Sequence, residues 1–381
     1  MQTKRTLANA VLLLSLAGVL SACGGTPGDK IYIGVAGPLS APNGVSMKRA
    51  AEMAAAEINA NGGIRKRQVE LVFADDEANP QKAITVAGVL KRDPRVVAVI
   101  GHVNSAASLA AATIYNASDT LGPPVLQISP ASSAPTLRQA GEWTFRVTPT
   151  DLEFSPALAA HARQLGLARA AVLYANDDYG QGVASTFRAA FQRQNGEVVS
   201  SDPYLPEVVK SGDELDAYLR RAIGRGADAL VIGGQADAGL KIIQAARRLG
   251  YTGPILGADG LTGVKDAGPI AEGVYVSSAF LPDRDSDLAR DFVAKYRTAY
   301  DALPDHRGAM TYDILYLLRD AIVAAGTDRR RLRDHVARIG TGVPSHEGVS
   351  GTIGFDENGD VRGKEPDLGI VRRGELVTAR Q

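Results

Sequence analysis

From Ile31 onward the chain alternates short apolar runs with longer stretches whose apolar positions recur every three or four residues. The short runs read as strands buried on both faces, and the 3.6-residue period as helices packed against them. Ile31 to Ala36 predicts the first strand. Val45 to Asn59 predicts the first helix, stopped by Asn61-Gly62-Gly63. A strand follows over Val69 to Ala74. Asn79 and Pro80 then supply an N-cap and a first-turn proline whose missing N–H costs nothing, opening a helix that runs to about Arg92. Val96 to Ile100, a helix from about Ser105 and Pro124 to Ile128 complete this first series.

A second series begins with a helix over Asp151 to Leu165. Strands are predicted at Ala170 to Ala175, Val198 to Tyr204, Ala229 to Gly233 and Pro254 to Leu256, with helices at Gly182 to Gln194, from about Asp213, and at Asp237 to Leu249. Two α/β series of similar size predict two lobes, each a mostly parallel sheet with helices on both faces. The remaining helices, at Asp287 to Tyr300 and Gly308 to Ala325, and the strand entering the Asn358-Gly359 turn are too little for a third core. They must pack on the lobes already built, so the chain crosses between lobes more than once. A cleft between jointed lobes is a common small-ligand site.

The first residues change the picture. Lys4 and Arg5 precede an apolar run from Leu7 to Leu20, too short to span a bilayer comfortably, and small residues lead to Cys23. Leu20-Ser21-Ala22-Cys23 resembles the bacterial lipobox, which implies cleavage before Cys23 and lipid on its sulfur. An ordinary signal peptide and an uncleaved anchor are the alternatives. Cys23 is the one cysteine in 381 residues, so no intramolecular disulfide is available. Gly24 to Asp29 has the small, polar composition of a tether.

Charge excludes rather than assigns. The 42 basic residues balance 42 acidic ones, and no basic stretch interleaves with aromatics, which argues against nucleic-acid binding. Arg329, Arg330 and Arg331 form the sharpest basic cluster. With Leu332, Val336 and Ile339 behind them, they read as the solvated start of a helix.

Several motifs give little chemistry. Tyr179 to Ser185 follows a strand and opens a helix as a dinucleotide fingerprint does, but it lacks the third glycine and the later strand-end acid. Asp75-Asp76-Glu77 could hold a metal or cap a helix, but no calcium-loop spacing follows and the five histidines are scattered. His102 reads as a packed structural histidine. There is no Gly-x-Ser-x-Gly elbow and no Ser-x-x-Lys pair. The chain is therefore expected to have no catalytic residues, no cofactor and no metal.

Binding chemistry is easier to find. Gly101-His102-Val103-Asn104-Ser105 leads from a strand into a helix start, where free backbone N–H groups and a hydroxyl suit a carboxylate. Ser129-Pro130-Ala131-Ser132-Ser133 offers a second such turn. Simple helix capping is the alternative role for these serines.

These turns occur in order with Ile33 to Ser40, Asp177 to Gly182, Gly233-Gly234-Gln235, Gly257 to Gly260, Met310 to Asp313 and Gly351 to Gly359. Together they resemble the leucine/isoleucine/valine-binding protein family over everything after the tether. The resemblance implies an α/β chain with the type I periplasmic-binding-protein fold: two Rossmann-like lobes joined by a three-segment hinge near 145–149, 276–282 and 349–353. It places the signal peptide at 1–22, the tether at 23–30, lobe 1 at 31–147 with 281–350, and lobe 2 at 148–280 with 351–381.

The family's carboxylate-binding turns fall on Ser105 and Ser133, with Ala131 contributing backbone and Asn104 and Ser132 beside them. Its aromatic contact falls on Tyr179 and its acidic partner for the ligand ammonium on Asp259. The implied function is an exported, lipid-anchored protein, not an enzyme, that captures an amino acid and hands it to the permease and ATPase subunits of an ABC importer. A sensor for an amide, urea or aromatic acid, and an exported hydrolase, are the alternative readings. The sequence departs from the family in a shorter loop after Ser40, and in Gln235 and Ala309 where aromatics occur, which implies a roomier or more polar pocket. Ala78 and Asn104 take the places of the family's paired cysteines.

Overall fold

A computed structural model describes residues 30–379. The apolar segment, Cys23 and the tether up to Asp29 lie outside the described residues. Among the described residues no helix is long and apolar enough to cross a membrane.

The first series forms β1 (Lys30–Gly37), α1 (Pro42–Ala60), β2 (Gln68–Asp75), α2 (Pro80–Arg92), β3 (Val96–Gly101), α3 (Ser105–Tyr115), β4 (Leu126–Ser129) and β5 (Thr144–Arg146). The strands make one parallel sheet in the order β2-β1-β3-β4-β5. Every residue of β3 and β4 is buried, as strands covered on both faces require. Asn79 caps α2 as its position predicts, accepting from the N–H groups of Gln81 and Lys82. The acids before it do not cap this helix: Asp75 ties the Ser40 and Glu77 amides, and Asp76 turns inward to the buried His102.

The second series comprises α4 (Asp151–Gln164), β6 (Arg169–Ala175), α5 (Asp178–Arg193), β7 (Glu197–Tyr204), α6 (Asp216–Gly224), β8 (Ala229–Gly233), α7 (Ala236–Arg248), β9 (Ile255–Gly257) and β10 (Tyr275–Ser278). Asp177 accepts from Gly180 N at 2.8 Å and so starts α5 four residues before the position that periodicity suggests.

After β10 the chain returns to the first sheet as α8 (Asp287–Tyr300), α9 (His306–Ala325) and α10 (Arg329–Val336). The α9 helix lies along α1, and Tyr312 and Tyr316 both donate to Glu57, at 2.6 and 2.7 Å. Arg329 is not solvated. It is buried, and its guanidinium donates to the carbonyls of Lys91, Asp93, Val96 and Pro123, gathering chain ends that would otherwise lack donors.

The last segment supplies β11 (His346–Gly348) and β12 (Gly351–Ile353), an antiparallel pair, then β13 (Asp367–Arg372) and β14 (Glu375–Thr378). These last two strands extend the second sheet to β14-β13-β10-β9-β8-β6-β7, antiparallel at the added edge. Residues 351–361, expected in the second lobe, stay on the first. Phe355 packs edge-on against Phe145, Arg146 N donates to Gly359 O, and the Arg146 guanidinium meets Asp360.

Three stretches of chain therefore run between the sheets, at 147–150, 279–286 and 362–366. Buried polar groups fasten them. Asp313 accepts from Val349 N and Ser350 N, while Lys364 Nζ reaches Ser350 Oγ at 2.6 Å and Val147 O at 3.2 Å. Arg284 pairs with Asp367 at 3.0 Å.

Candidate functional site

In both sheets the strand order reverses once, between β1 and β3 in the first and between β6 and β8 in the second. Loops leaving the carboxyl ends of strands at such a point diverge and leave a crevice. Here the two crevices face each other.

On the first sheet, Asn104 stands at the N-cap of α3 and Ser105 opens the helix, so its unbonded first-turn amides border the crevice. Ser105 Oγ accepts from Ala134 N at 3.2 Å, joining this turn to the one after β4. Ser129 shapes that second turn: its Oγ accepts from Ala131 N and Ser132 N and donates to His102 O. Arg146 supports it from behind, donating to the carbonyls of Ser132 and Ala134 at 3.2 and 2.7 Å. The two adjacent serines then part company. Ser132 Oγ is committed inward, 2.7 Å from Ser108 Oγ and 3.1 Å from Val103 O, and does not line the cavity. Ser133 Oγ and Asn104 Oδ1 are buried without a hydrogen-bond partner among the described residues, and of these two residues Asn104 lines the cavity and Ser133 lies behind it.

On the second sheet, Tyr179 lies in the first turn of α5 and Asp259 follows β9. Tyr179 Oη donates to Asp259 Oδ1 at 3.1 Å and accepts from Gly260 N at 2.8 Å, which fixes both side chains. Gly260 must be glycine for this approach, since a Cβ there would stand 2.6 Å from Tyr179 Oη and 2.7 Å from Gly234 O. Thr262 Oγ1 donates to Asp259 O at 2.9 Å and locks the turn.

Two residues that sequence reasoning missed bear on the site, one buried behind the chamber and one in its lining. Asp151, the first residue of α4, is fully buried and neither carboxylate oxygen has a partner among the described residues. It comes so close to α5 that a Cβ on Gly182 would lie 2.3 Å from Asp151 Oδ2. In sequence it is only an acid after the capping Thr150. Arg307, near the start of α9, is 4% exposed and reaches across from the first sheet's side. Its Nη1 donates to Thr262 Oγ1 at 3.1 Å and to Asp305 Oδ2 at 3.0 Å. Ala309, the position marked for a pocket wall, is fully buried and does not line the cavity.

Burial governs the electrostatics. Desolvation raises the Asp259 carboxyl to about 6, although Arg307 and the bonds from Tyr179 and Gly260 favour its charge. Desolvation, reinforced by Asp259, pushes Asp151 well above the ordinary carboxylate range. His306 Nε2 is 3.5 Å from Asp259 Oδ2, but burial and then Arg307 lower its pKa to about 3, so the ring is neutral and adds no counter-charge. Two buried carboxyls thus lie within reach of each other's charge, both held above their ordinary range, with no lysine or arginine bonded to either among the described residues.

Asn104, Ser105, Ala131, Tyr179, Gln235, Asp259, Gly260 and Arg307 line one chamber between the sheets. Its accessible volume is about 10 Å³, enough for about one water. Past Gln235, Gly260 and Arg307 it meets an outer basin of about 530 Å³. A solute larger than water reaches the chamber only if the two faces part.

Known proteins resemble this chain over nearly its whole length. The family model described as periplasmic binding protein matches residues 30–366. A Leu/Ile/Val-binding protein homolog of Brucella abortus is 30% identical over 368 residues, covering 94% of this chain and 93% of the relative. A leucine-binding protein structure from Thermotoga maritima superposes with a TM-score of 0.82 at 27% identity, covering 92% of this chain and 98% of its own. An ABC transporter substrate-binding protein from Desulfitobacterium hafniense, solved in complex with Leu, gives 0.79 at 29%, covering 92% of this chain and all of its own. These relatives are substrate-binding proteins, not enzymes. The chain belongs to the periplasmic binding protein family, in its branch of branched-chain amino acid ABC-transporter substrate-binding proteins.

Proposed function

We propose that this protein captures an α-amino acid between its two lobes and delivers it to an ABC importer. One observation carries the reading: the Ser105 hydroxyl and helix-start amides on the first sheet stand across the chamber from the buried Asp259 carboxyl on the second. The carboxylate of an amino acid fits the former at Ser105, Ser133 and the Ala131 backbone, and its ammonium fits Asp259. Relatives described as binding Leu, or Leu, Ile and Val, support the same class of solute.

Delivery follows from closure. The solute settles on one lobe, the other rotates over it about the three crossing segments, and the closed form is what the permease subunits meet. The test is calorimetric titration of ligand-stripped protein with L-amino acids, beside the amine and the α-keto acid that share each side chain. One-to-one binding of an amino acid, lost in both analogues, is expected. Equal binding of the keto acid, or preference for an amide or aromatic acid, would overturn the reading.

The anchor is part of the proposal. Cleavage before Cys23 with lipid on its sulfur tethers the protein to the outer face of the cytoplasmic membrane or within the envelope, beside its permease. Mass spectrometry of the native amino terminus is expected to find lipidated Cys23. An intact Met1, or an unmodified start elsewhere, would contradict it.

A further inference from the structure

Arg307 has a function in the cavity that its contacts do not exhaust. All of its side-chain hydrogen bonds among the described residues run through Nη1, to Thr262 and Asp305. Nε is buried and has no partner among the described residues. A guanidinium whose Nη1 is engaged still presents the Nε–Nη2 edge, a planar pair of donors whose spacing matches the two oxygens of a carboxylate. A buried donor without an acceptor is costly in any protein, and one that borders a binding chamber is explained by a ligand atom.

Its position says which ligand atom. Arg307 and Gln235 line both the inner chamber and the outer basin, at the junction between them. An amino acid whose α-groups lie between Ser105 and Asp259 in the inner chamber must send its side chain out through that junction. At the junction a branched aliphatic group would meet a guanidinium and an amide, with Val103 and Ala131 in the inner lining and Pro42, Val45 and Leu303 in that of the basin. Asp305 does not cancel this role, because it engages Nη1 and also caps α9 through Gly308 N.

Resting on the amino-acid reading above, we infer that the solute is an acidic α-amino acid, its side-chain carboxylate bound by the free edge of Arg307 with Gln235 beside it. The assignment names Arg307 as a specificity determinant, and it separates this chain from relatives described as binding leucine.

Titration of ligand-stripped protein with L-glutamate, L-aspartate, L-glutamine and L-leucine tests it. One of the two acids is expected to bind more tightly than glutamine and leucine by a factor on the order of 10 to 100, the worth of a charge-assisted bidentate pair. Arg307→Met should remove that advantage, so that acid binding falls by a larger factor than leucine binding does. Arg307→Lys, which keeps the charge without the fork, should retain part of it. Leucine binding wild type as tightly as either acid would overturn the inference while leaving the amino-acid reading intact. An equal loss of acid and leucine binding in a folded Arg307→Met would also overturn it, by showing a structural role. If none of the amino acids bind, the amino-acid reading itself falls.

Discussion

Asp259→Ala is expected to weaken amino-acid binding by about 2–5 kcal/mol, because the ammonium loses its counter-charge in a site from which water is excluded. Asp259→Asn separates charge from shape: it keeps the bond with Tyr179 and should lose most of the same affinity. The pH dependence follows from the raised pKa. The ammonium binds the carboxylate form, so below about pH 6 a proton must leave Asp259 before the ligand binds. Wild-type affinity should then fall by up to about tenfold per pH unit, while that of the Asp259→Asn protein stays flat. Of the other facing groups, His306 is neutral above about 3, the Tyr179 hydroxyl is pushed well above its ordinary range, and burial, reinforced by Asp259, raises Asp151 as well.

The same substitution should stabilise the ligand-free fold. A carboxyl whose folded pKa lies above its unfolded value destabilises the native state above the folded pKa, and the effect vanishes as pH falls toward the unfolded value. Stripped Asp259→Asn protein should therefore be more stable than wild type at about pH 8, by up to about 3 kcal/mol, and the gap should close as pH falls below about 6. Calorimetric binding and thermal melts across about pH 4.5–8, a window that brackets the raised carboxyl, read both effects. Affinity that is unchanged in Asp259→Ala would remove this residue from the site.

Arg146→Met should cost about 3–5 kcal/mol of folding stability, the typical consequence of removing one partner of a buried ion pair. Arg146 is 1% exposed, its Nε donates to Asp360 Oδ1 at 2.6 Å, and its Nη1 holds the Ser132 and Ala134 carbonyls. Arg138, 3.3 Å from Asp360, retains some charge balance. Arg146→Met combined with Asp360→Leu should recover part of the loss, since neither charge then remains buried alone. Because the guanidinium also supports the turn that carries Ser133, the single variant should lose ligand affinity as well as stability. Denaturant melts of the single and double variants decide it, and a melt identical to wild type would contradict the positioning role.

The long elements were legible because burial on both faces writes itself as unbroken apolar runs. Strands β3, β4, β6 and β8 stand where Val96 to Ile100, Pro124 to Ile128, Ala170 to Ala175 and Ala229 to Gly233 point. The short strand Thr144–Arg146 and the hairpin of β13 and β14 were not, since they carry polar residues whose pairing is settled only by the sheet edge they join. Side-chain roles show a similar divide. The turns bearing Ser105 and Ser133 could be singled out from residue types with helix capping left open, but adjacent Ser132 and Ser133 differ only in the direction that the folded backbone gives them. Arg329 and Arg307 both sit at helix starts among other charges, where sequence suggests solvent. Only tertiary packing brings one to four backbone carbonyls and the other into the cleft. Asp151 reads as a helix-start acid, and its place in the site depends on a distant glycine, Gly182.

Everything proposed for the cleft requires that one amino acid be held by both of its faces at once. The most direct measurement is a crystal structure of the protein with the amino acid selected by titration. The predicted result places its carboxylate at Ser105, Ser133 and the Ala131 backbone, and its ammonium against Asp259. A ligand bound outside the chamber, or one whose α-carboxylate faces Asp259, would contradict it.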